Sequence, residues 1–379
     1  MDFDFTDDQN SLRDAVGRWA EKSYGFERRR AITRSGGFSR EAWDELAGLG
    51  LLGLALPEGS GGMGFGAVEA MVVMEELGRG MVLEPYAAVA LVAAPLLAAS
   101  KSPDAAPWAH KVADGSSIVV LAQQERGARY DLSRVTTRAE RADGGGWTIS
   151  GAKSLVPAGA HADAFIVPAR VSGGDGDPQG IALFLVARGA GVATRGYPTQ
   201  DGACAAELAL DKAQAVELVP AGEGFGMLEA AIDRGIAAVA AEAVGLMDKL
   251  FALTVDYLNT RKQFGVAIGS FQALRHRAAD VKIQLELARS MSYFASLKLG
   301  DAPAARRRAL SQAKVQVGNS LRFVGQQCIQ MHGGIGMTDE YVGSHCFKRL
   351  TMIELACGDT LHHLGEVSAR MQDSAGVFA

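Results

Sequence analysis

The stretch Arg261-Lys262-Gln263-Phe264-Gly265 separates two long helical patterns, and Gln330-Met331-His332-Gly333-Gly334-Ile335-Gly336 ends a third. Before the first stretch, apolar residues recur at steps of four and three, which is the spacing of a seam that two long helices bury together. Long antiparallel helices of this kind form a bundle. The seam consists of Ile232, Ile236, Val239, Ala243, Leu246, Leu250, Leu253 and Tyr257.

Outward from these stretches, the pattern predicts three parts. Residues 1–118 are predicted to be helical, residues 119–224 to form a small β domain, and residues 225–379 to form the helical bundle. Five short β-rich runs, separated by Gly and Asp clusters, favour a sandwich or barrel over a parallel sheet. We therefore expect a mostly α protein with a central β domain. The five runs are Ser117–Ala122, Trp147–Ser150, Ala164–Val167, Ile181–Val186 and Ala206–Leu210.

The composition excludes several classes of protein. A net charge of −5 argues against a nucleic-acid surface, and no apolar run approaches the roughly 20 residues that span a bilayer. The N-terminus is acidic and lacks the order of a signal peptide. The cysteines form neither a disulfide framework nor a metal site, so we expect no bound metal and a cytoplasmic location. The cysteines are Cys204, Cys328, Cys346 and Cys357.

Several blocks resemble landmarks of the acyl-CoA dehydrogenase family, in that family's order. The two stretches quoted above resemble its C-terminal signatures, and Gly151-Ala152-Lys153 resembles the core of its β domain. The resemblance covers nearly the whole chain. It implies an N-terminal helical domain, a small β sandwich or barrel, and a C-terminal four-helix bundle. Three further blocks, Tyr197–Gly202, Phe264–Gln272 and Phe347–Ile353, resemble the small subunits of heteromeric α2β2 members such as pimeloyl-CoA dehydrogenase.

The resemblance also implies FAD, held across a subunit interface by the two C-terminal signatures. An Arg fork suits pyrophosphate oxygens, an aromatic ring can pack on the flavin, and glycines let backbone amides approach the dinucleotide. The alternatives are a solvated cation at Arg261 and a plain helix C-cap at Gly333-Gly334. His276 and His332 are interpreted as packing or hydrogen-bonding residues. The predicted FAD contacts are Arg261, Gln263, Phe264, Gln272, Gln330, Gly333 and Gly334.

The residues that would build the chain's own catalytic pocket depart from the family pattern. Family members remove the substrate α proton with a Glu, placed either in a turn near the C-terminus or on the first bundle helix. Cys357 occupies the first position and Gly235 the second. The aromatic residue and the hydroxyl that flank the flavin in the family are replaced by Leu155 and Pro157. The residues with which family members contact the flavin of a neighbouring subunit are thus present in this chain. The residues that would form the chain's own catalytic pocket are replaced.

Nearby carboxylates are alternative bases. Asp359 follows the turn position by two residues and is the weak candidate, and Glu354 lies one turn before Cys357. Asp233 precedes the helix position by two residues, a rotation of about 200° that turns its side chain away and favours a structural role. The catalytic base therefore stays unassigned.

Three functions are compatible with these residues. The favoured hypothesis is an FAD-dependent acyl-CoA dehydrogenase of fatty acid β-oxidation, in which this chain is the small subunit of a heterotetramer with a large catalytic subunit. The second is a self-sufficient homodimer or homotetramer with a relocated base such as Asp359. The third is a flavin-free structural paralogue. The first two imply an acyl-CoA substrate and an electron-transfer flavoprotein as the electron acceptor.

Overall fold

The computed structural model describes residues 4–142 and 144–371. The chain divides into two compact units, and each combines segments that are distant in sequence. The division into three domains by residue number therefore stays a prediction. The helical unit comprises Met1–Arg29, Ala67–Val82 and Ile236–Ala379, and the β unit comprises Arg30–Gly66 and Leu83–Gly235.

Helices dominate the described chain, as the sequence predicts. The first helix begins with a reciprocal cap, because Thr6 Oγ1 accepts from the Gln9 N–H while the Gln9 side chain accepts from the Thr6 N–H. Pro303 begins the third bundle helix, where its missing N–H costs nothing. A π-helix over Ala87–Ala93 leads into α5. The α-helices are α1 (Asp7–Ser23), α2 (Phe26–Arg34), α3 (Arg40–Gly48), α4 (Ala67–Gly80), α5 (Ala94–Ala99), α6 (Ala105–Ala113), α7 (Gly224–Thr260), α8 (Gln272–Lys298), α9 (Pro303–His332), α10 (Val342–Leu355) and α11 (Thr360–Ala369).

The core of the helical unit forms along the predicted seam of α7. Val239, Ala243, Leu246 and Leu250 are buried there against apolar residues of α8, α9 and α10. Burying each such Leu or Val side chain stabilises the fold by about 1.5–3 kcal/mol. The seam prediction is therefore confirmed from Val239 to Leu250, whereas Leu253 and Tyr257 are only half-buried. The facing residues are Val281 and Leu285 of α8, Val317, Leu321 and Val324 of α9, and Leu350 and Ile353 of α10.

The β unit holds one seven-stranded sheet in the order β1-β4-β2-β3-β7-β5, with β6 paired to β7. Because β5 also pairs with β4, the sheet closes on itself as a small barrel. Most pairs are antiparallel, although β1 runs parallel to β4. The strands are β1 (Val119–Leu121), β2 (Arg138–Arg141), β3 (Trp147–Pro157), β4 (Ala164–Arg170), β5 (Ile181–Ala187), β6 (Val192–Pro198) and β7 (Cys204–Val219), and a separate hairpin in the helical unit pairs β8 (Lys262–Gln263) with β9 (Val266–Ala267).

All five predicted β-rich runs lie in or overlap strands, and the predicted helix–β–helix order is confirmed. The sequence analysis missed β2 and β6. Both strands are largely exposed, with burial patterns that leave few apolar positions. Periodicity cannot reveal a strand whose side chains face solvent on both sides.

Candidate functional site

The first predicted flavin segment is a tight hairpin that begins where α7 ends. We call residues 261–271 the Arg261 hairpin. The Arg261 N–H donates to the Tyr257 carbonyl at 2.8 Å. The turn residues Phe264 (φ 53°) and Gly265 (φ 79°) both adopt left-handed backbone, the combination that matches the twist of a two-residue hairpin. This conformation is unfavourable for a bulky residue such as Phe264.

The side chains of the Arg261 hairpin face outward. Phe264 is 92% exposed, and its ring meets Phe271 edge-on with 6.1 Å between centroids. The Gln263 amide donates to the adjacent Lys262 carbonyl. Arg261 and Gln272 are also exposed. The hairpin therefore presents a cation, two amides and an aromatic face that a ligand or another chain can reach.

The second predicted segment follows α9. We call Gly333–Met337, a short 3-10 helix, the Gly333 turn. Gly333 has φ 63° and donates its N–H to the Gln330 carbonyl, so it does end the helix. A Cβ added at Gly333 or at Gly334 would meet nothing within 4 Å. The helix-cap reading therefore accounts for Gly333, but the backbone at Gly334 is left open to an approaching group. Gln330 is exposed beside it.

The helical unit brings these two segments together, although about seventy residues separate them in sequence. The Tyr257 ring, one turn before Arg261, stacks on the ring of His332 with 4.7 Å between centroids. His332 immediately precedes Gly333. The interpretation of His332 as a packing and hydrogen-bonding residue agrees with this contact.

The turn between α10 and α11 holds Cys357 where the family places a Glu. Cys357 has φ 57°, and Gly358 follows with φ 108°. The buried Lys314 amine donates to the carbonyls of Ile353, Glu354 and Gly358 at 3.1, 2.8 and 2.8 Å. Burial lowers the pKa of Lys314 to about 8. The turn is thus firmly held, but it presents a thiol.

Both acids beside this turn have structural partners. Asp359 is the N-cap of α11 and accepts from the His362 N–H at 2.8 Å. One oxygen of Glu354 accepts from the Arg322 side chain at 2.9 Å and from the Thr360 N–H at 3.0 Å. These contacts give each carboxylate a structural role, and they weigh against Asp359 as a relocated base.

The alternative base position on α7 offers no carboxylate. Gly235 is buried in the β unit, and Asp233 nearby has no exposed surface. A fully buried carboxylate cannot reach a solvent-delivered substrate without rearrangement, so Asp233 retains its predicted structural role.

The residues at the predicted flavin edge of the β unit are unusual. The pairing of β3 with β7 shifts register between Lys153 and Val156. Leu155 lies in this bulge with φ 52° and is 44% exposed. Pro157 pairs with Ala205 but has no N–H to offer a ligand. This edge therefore supplies neither the aromatic face nor the hydroxyl found in the family.

A buried ion pair in the β unit escaped the sequence analysis. Lys153 Nζ lies 2.7 Å from Glu125 Oε1, and the Thr136 and Thr137 hydroxyls also donate to Glu125. Burial would raise the pKa of Glu125, but Lys153 and the two hydroxyls outweigh it and hold that pKa at about 2. Gly127 and the pair border a surface pocket of about 230 Å³. The Gly151-Ala152-Lys153 block pointed to the lysine, but no sequence pattern pointed to Glu125.

Metal-binding clusters and membrane-spanning helices can both be assessed in the residues that the structure describes. Among them, no group of three or more His, Cys, Asp or Glu side chains is arranged to hold a metal ion. Within residues 4–142 and 144–371, no helix is long and apolar enough to cross a membrane.

Family models match almost the whole chain in three consecutive parts. The acyl-CoA dehydrogenase N-terminal domain matches residues 6–116, the middle domain matches residues 121–213, and the C-terminal domain matches residues 222–372. The chain belongs to the acyl-CoA dehydrogenase family. Its fold is that of the family, and the chain is accordingly a member of a class of flavoprotein oxidoreductases.

Individual relatives are distant but align over nearly full length. The chain is 28% identical to acyl-CoA dehydrogenase FadE27 of Mycobacterium tuberculosis, covering 89% of each chain. It is 28% identical to the short-chain specific acyl-CoA dehydrogenase of Megasphaera elsdenii, covering 90% of this chain and 92% of that one.

Two solved structures are similar throughout. The Tcur3481–Tcur3483 steroid acyl-CoA dehydrogenase is 30% identical with a TM-score of 0.88, covering 97% of this chain and 99% of that one. The ChsE4–ChsE5 complex of Mycobacterium tuberculosis is 26% identical with a TM-score of 0.87, covering 99% and 100%.

FAD is the cofactor of this family. The residues of the helical unit fit it, because Arg261 is exposed, Phe264 is nearly fully exposed, and the backbone at Gly333 and Gly334 faces open space. A pyrophosphate needs a cation and backbone N–H groups of this kind. The flavin edge of the β unit fits less well, because of Leu155 and Pro157. The helical unit thus presents the features expected of one half of the predicted flavin site.

Proposed function

We propose that this chain is the small subunit of a heteromeric, FAD-dependent acyl-CoA dehydrogenase and lends half of a flavin site to a larger catalytic partner. The contrast between two sets of residues supports this most. The predicted FAD contacts, of which Arg261 is the first in sequence and Gly334 the last, are all present and exposed. The groups that would perform chemistry in the chain's own pocket are missing, since Cys357 and Gly235 stand at the two positions for the base.

The role of the chain's own residues is to bind and orient. Arg261 neutralises the pyrophosphate, Phe264 packs on a ring, and the open backbone at Gly334 offers its N–H. The amides of Gln263, Gln272 and Gln330 donate to phosphate or ribose oxygens. When bound, FAD accepts the hydride that leaves the β carbon of an acyl-CoA thioester. The partner supplies the carboxylate that removes the α proton.

Exposed apolar side chains around the half-site are consistent with a covering partner. Phe264 is 92% and Met337 81% exposed, and these fractions are high for large apolar residues beside a ligand site. We call Phe264, Val266, Phe271, Ile335 and Met337 the apolar rim. The Tcur3481–Tcur3483 and ChsE4–ChsE5 proteins are each named as a pair of chains. A partner of the same family would cover the apolar rim and complete the flavin site.

The remaining details follow from the same assignment. The substrate would be an acyl-CoA thioester, and an electron-transfer flavoprotein in the cytoplasm would take up the electrons. The capping role of Asp359 supports our preference for the two-chain enzyme over the single-chain enzyme.

Co-expression tests the proposal. The chain is purified alone and together with a large acyl-CoA dehydrogenase chain that has a Glu at the position of Cys357 or of Gly235. We expect a colourless product alone and a yellow complex that acyl-CoA bleaches. A yellow single chain that acyl-CoA bleaches would contradict the proposal, and colourless products with every such partner would favour the flavin-free paralogue.

Cys357→Glu distinguishes the first two functions. The turn at this position is held by Lys314, so the substituted Glu would sit in a formed turn. We expect the lone variant to stay inactive, because Leu155 and Pro157 also depart from the family. Acyl-CoA oxidation by the lone Cys357→Glu protein would show that a missing carboxylate was its sole defect and would favour a homo-oligomeric enzyme.

A further inference from the structure

We infer that His332, held between Tyr257 and Tyr341, is a positioning residue that fixes the Arg261 hairpin and the Gly333 turn relative to each other. The role in flavin binding rests on the proposed function. The mechanical coupling rests on contacts within the helical unit alone.

The hydrogen bonds of His332 fix its tautomer. His332 is 3% exposed, and its Nδ1 lies 2.8 Å from the Cys328 carbonyl oxygen. A carbonyl can only accept, so Nδ1 carries the proton. Nε2 then accepts from the Tyr341 hydroxyl at 2.5 Å. Burial lowers the pKa of His332, which keeps this neutral form in place near neutral pH.

Two aromatic rings clamp the imidazole. The Tyr257 ring lies 4.7 Å from it at an interplanar angle of 32°, and the Tyr341 ring lies 4.8 Å from it at 48°. Tyr257 belongs to the last turn of α7, and its carbonyl accepts the Arg261 N–H. Tyr341 directly precedes α10. The cluster therefore joins the ends of α7 and α9 to the start of α10.

This arrangement places His332 at a junction. Its own backbone leads into Gly333, while its ring supports the residue that anchors Arg261. The two flavin-binding segments come from different helices, and neither the hairpin nor the turn has a large core of its own. A shift of the imidazole would move both segments, because each is one or two contacts from the ring. The distance between the Arg261 cation and the Gly334 backbone would then change.

Core filling is the simpler role for a buried histidine, and the two roles make different predictions. If packing alone matters, removal of the Tyr341 hydroxyl should change nothing beyond its own surroundings. If the Tyr341–His332 hydrogen bond positions both segments, its loss should also speed amide exchange in the Arg261 hairpin, which is distant from Tyr341 in sequence.

Amide hydrogen exchange on the full chain separates these outcomes. Tyr341→Phe keeps the ring and removes the donor to Nε2. We expect exchange to accelerate about fivefold or more, the fold-change of roughly one net hydrogen bond, in both the hairpin and the turn. The reporters are the amides of Arg261, Ile268 and Thr338, whose hydrogen bonds are 2.8, 2.9 and 3.1 Å long. Tyr257→Phe, which keeps the stacked ring, is the matched control and should leave these rates unchanged.

Faster exchange confined to the Gly333 turn, or no change in either segment, would overturn the inference. His332→Phe provides a second variant, since it keeps an aromatic ring but loses both hydrogen bonds. It should reproduce the coupled effect of Tyr341→Phe. Flavin retention by the complex of the Tyr341→Phe chain with its partner is measured separately. Coupled exchange with unchanged FAD retention would leave the positioning role standing and contradict the proposed half-site.

Discussion

Arg261 is the residue on which the flavin assignment depends most, because it is the cation placed at the start of the exposed hairpin. Replacing it with Ala should weaken FAD binding in the complex by about 1.5–3 kcal/mol, the range for a hydrogen bond to a charged group. The measurement is the dissociation constant of FAD from the reconstituted complex. The fold should be unaffected, because the side chain is exposed.

Lys262→Ala is the matched control for this change. Lys262 is the next residue in the same hairpin and is also exposed, so its loss removes one positive charge without removing the guanidinium fork. We expect a much smaller effect on FAD affinity. Equal effects of the two substitutions on FAD affinity would show that Arg261 contributes only its positive charge. An unchanged FAD affinity in Arg261→Ala would show that Arg261 does not contact the cofactor.

Asp359 offers a second test at this scale. Because its carboxylate caps α11, Asp359→Ala should lower the free energy of unfolding by about 0.5–2 kcal/mol. Asp359→Asn should cost much less, since Asn caps nearly as well. Neither substitution should reduce the turnover of the complex below the loss expected from unfolding. A large loss of turnover in Asp359→Asn, with stability intact, would show that the carboxylate acts on substrate.

The role of a side chain could be predicted from the sequence where that side chain is exposed. It could not be predicted where the role depends on a contact with another residue of the fold. The sequence indicated that Arg261, Phe264 and Gly334 would be available to a ligand, and the structure leaves them accessible. The capping role of Asp359 depends on the exact residue at which α11 begins, and hydrophobic periodicity does not define a helix start to within one residue. The same limitation hid Glu125, since its partner Lys153 is 28 residues away.

At the scale of elements, strand β3 and the loop between β1 and β2 are joined by the Glu125–Lys153 pair. The pKa of Glu125 is about 2 in the folded chain against 4.5 for the unperturbed group. A depressed carboxyl pKa contributes stability that is fully present above pH 4.5 and is lost as the pH falls toward 2. The contribution at pH 6 is about 3 kcal/mol, at 1.36 kcal/mol per pKa unit.

Denaturant unfolding of the wild type and of Glu125→Gln at several pH values measures this contribution. The stability difference between them should shrink by about 2 kcal/mol between pH 6 and pH 3. Glu207→Gln is the control, because Glu207 pairs with Arg126 at 3.6 Å near the surface, where Arg126 is 79% exposed. Its effect should be about 1 kcal/mol or less and should vary little with pH. A pH-independent difference for Glu125→Gln would contradict the assigned ion pair.

The elements themselves were predictable to different degrees. The apolar seam of α7 could be predicted because its residues recur over many helical turns, and the helical unit buries them. The Arg261 hairpin was not predicted as β structure. Its strands contain two residues each, and its turn uses Phe264-Gly265 instead of the usual Asn-Gly. Tertiary context, and not local propensity, therefore determines this element.

At the scale of the whole molecule, the proposed function rests on the contrast between the predicted flavin contacts, which are present, and the catalytic groups, which are missing. The described residues keep the family fold, and the predicted FAD contacts among them are exposed. The chain lacks a carboxylate at both positions where the family places one. Exposure of the apolar rim in the single chain fits a protein that operates with another chain against this surface. A two-chain assembly is thus the simplest account that uses all of these residues.

The ratio of FAD to polypeptide in the purified complex tests this account most directly. If the chain contributes binding residues to its partner's FAD and binds no FAD in its own catalytic pocket, each pair of large and small subunits should contain one FAD. Flavin absorbance after denaturation, divided by the amount of each chain, gives the number. One FAD for every two chains is the predicted result. One FAD for every chain, or flavin retained by this chain in the absence of a partner, would contradict it.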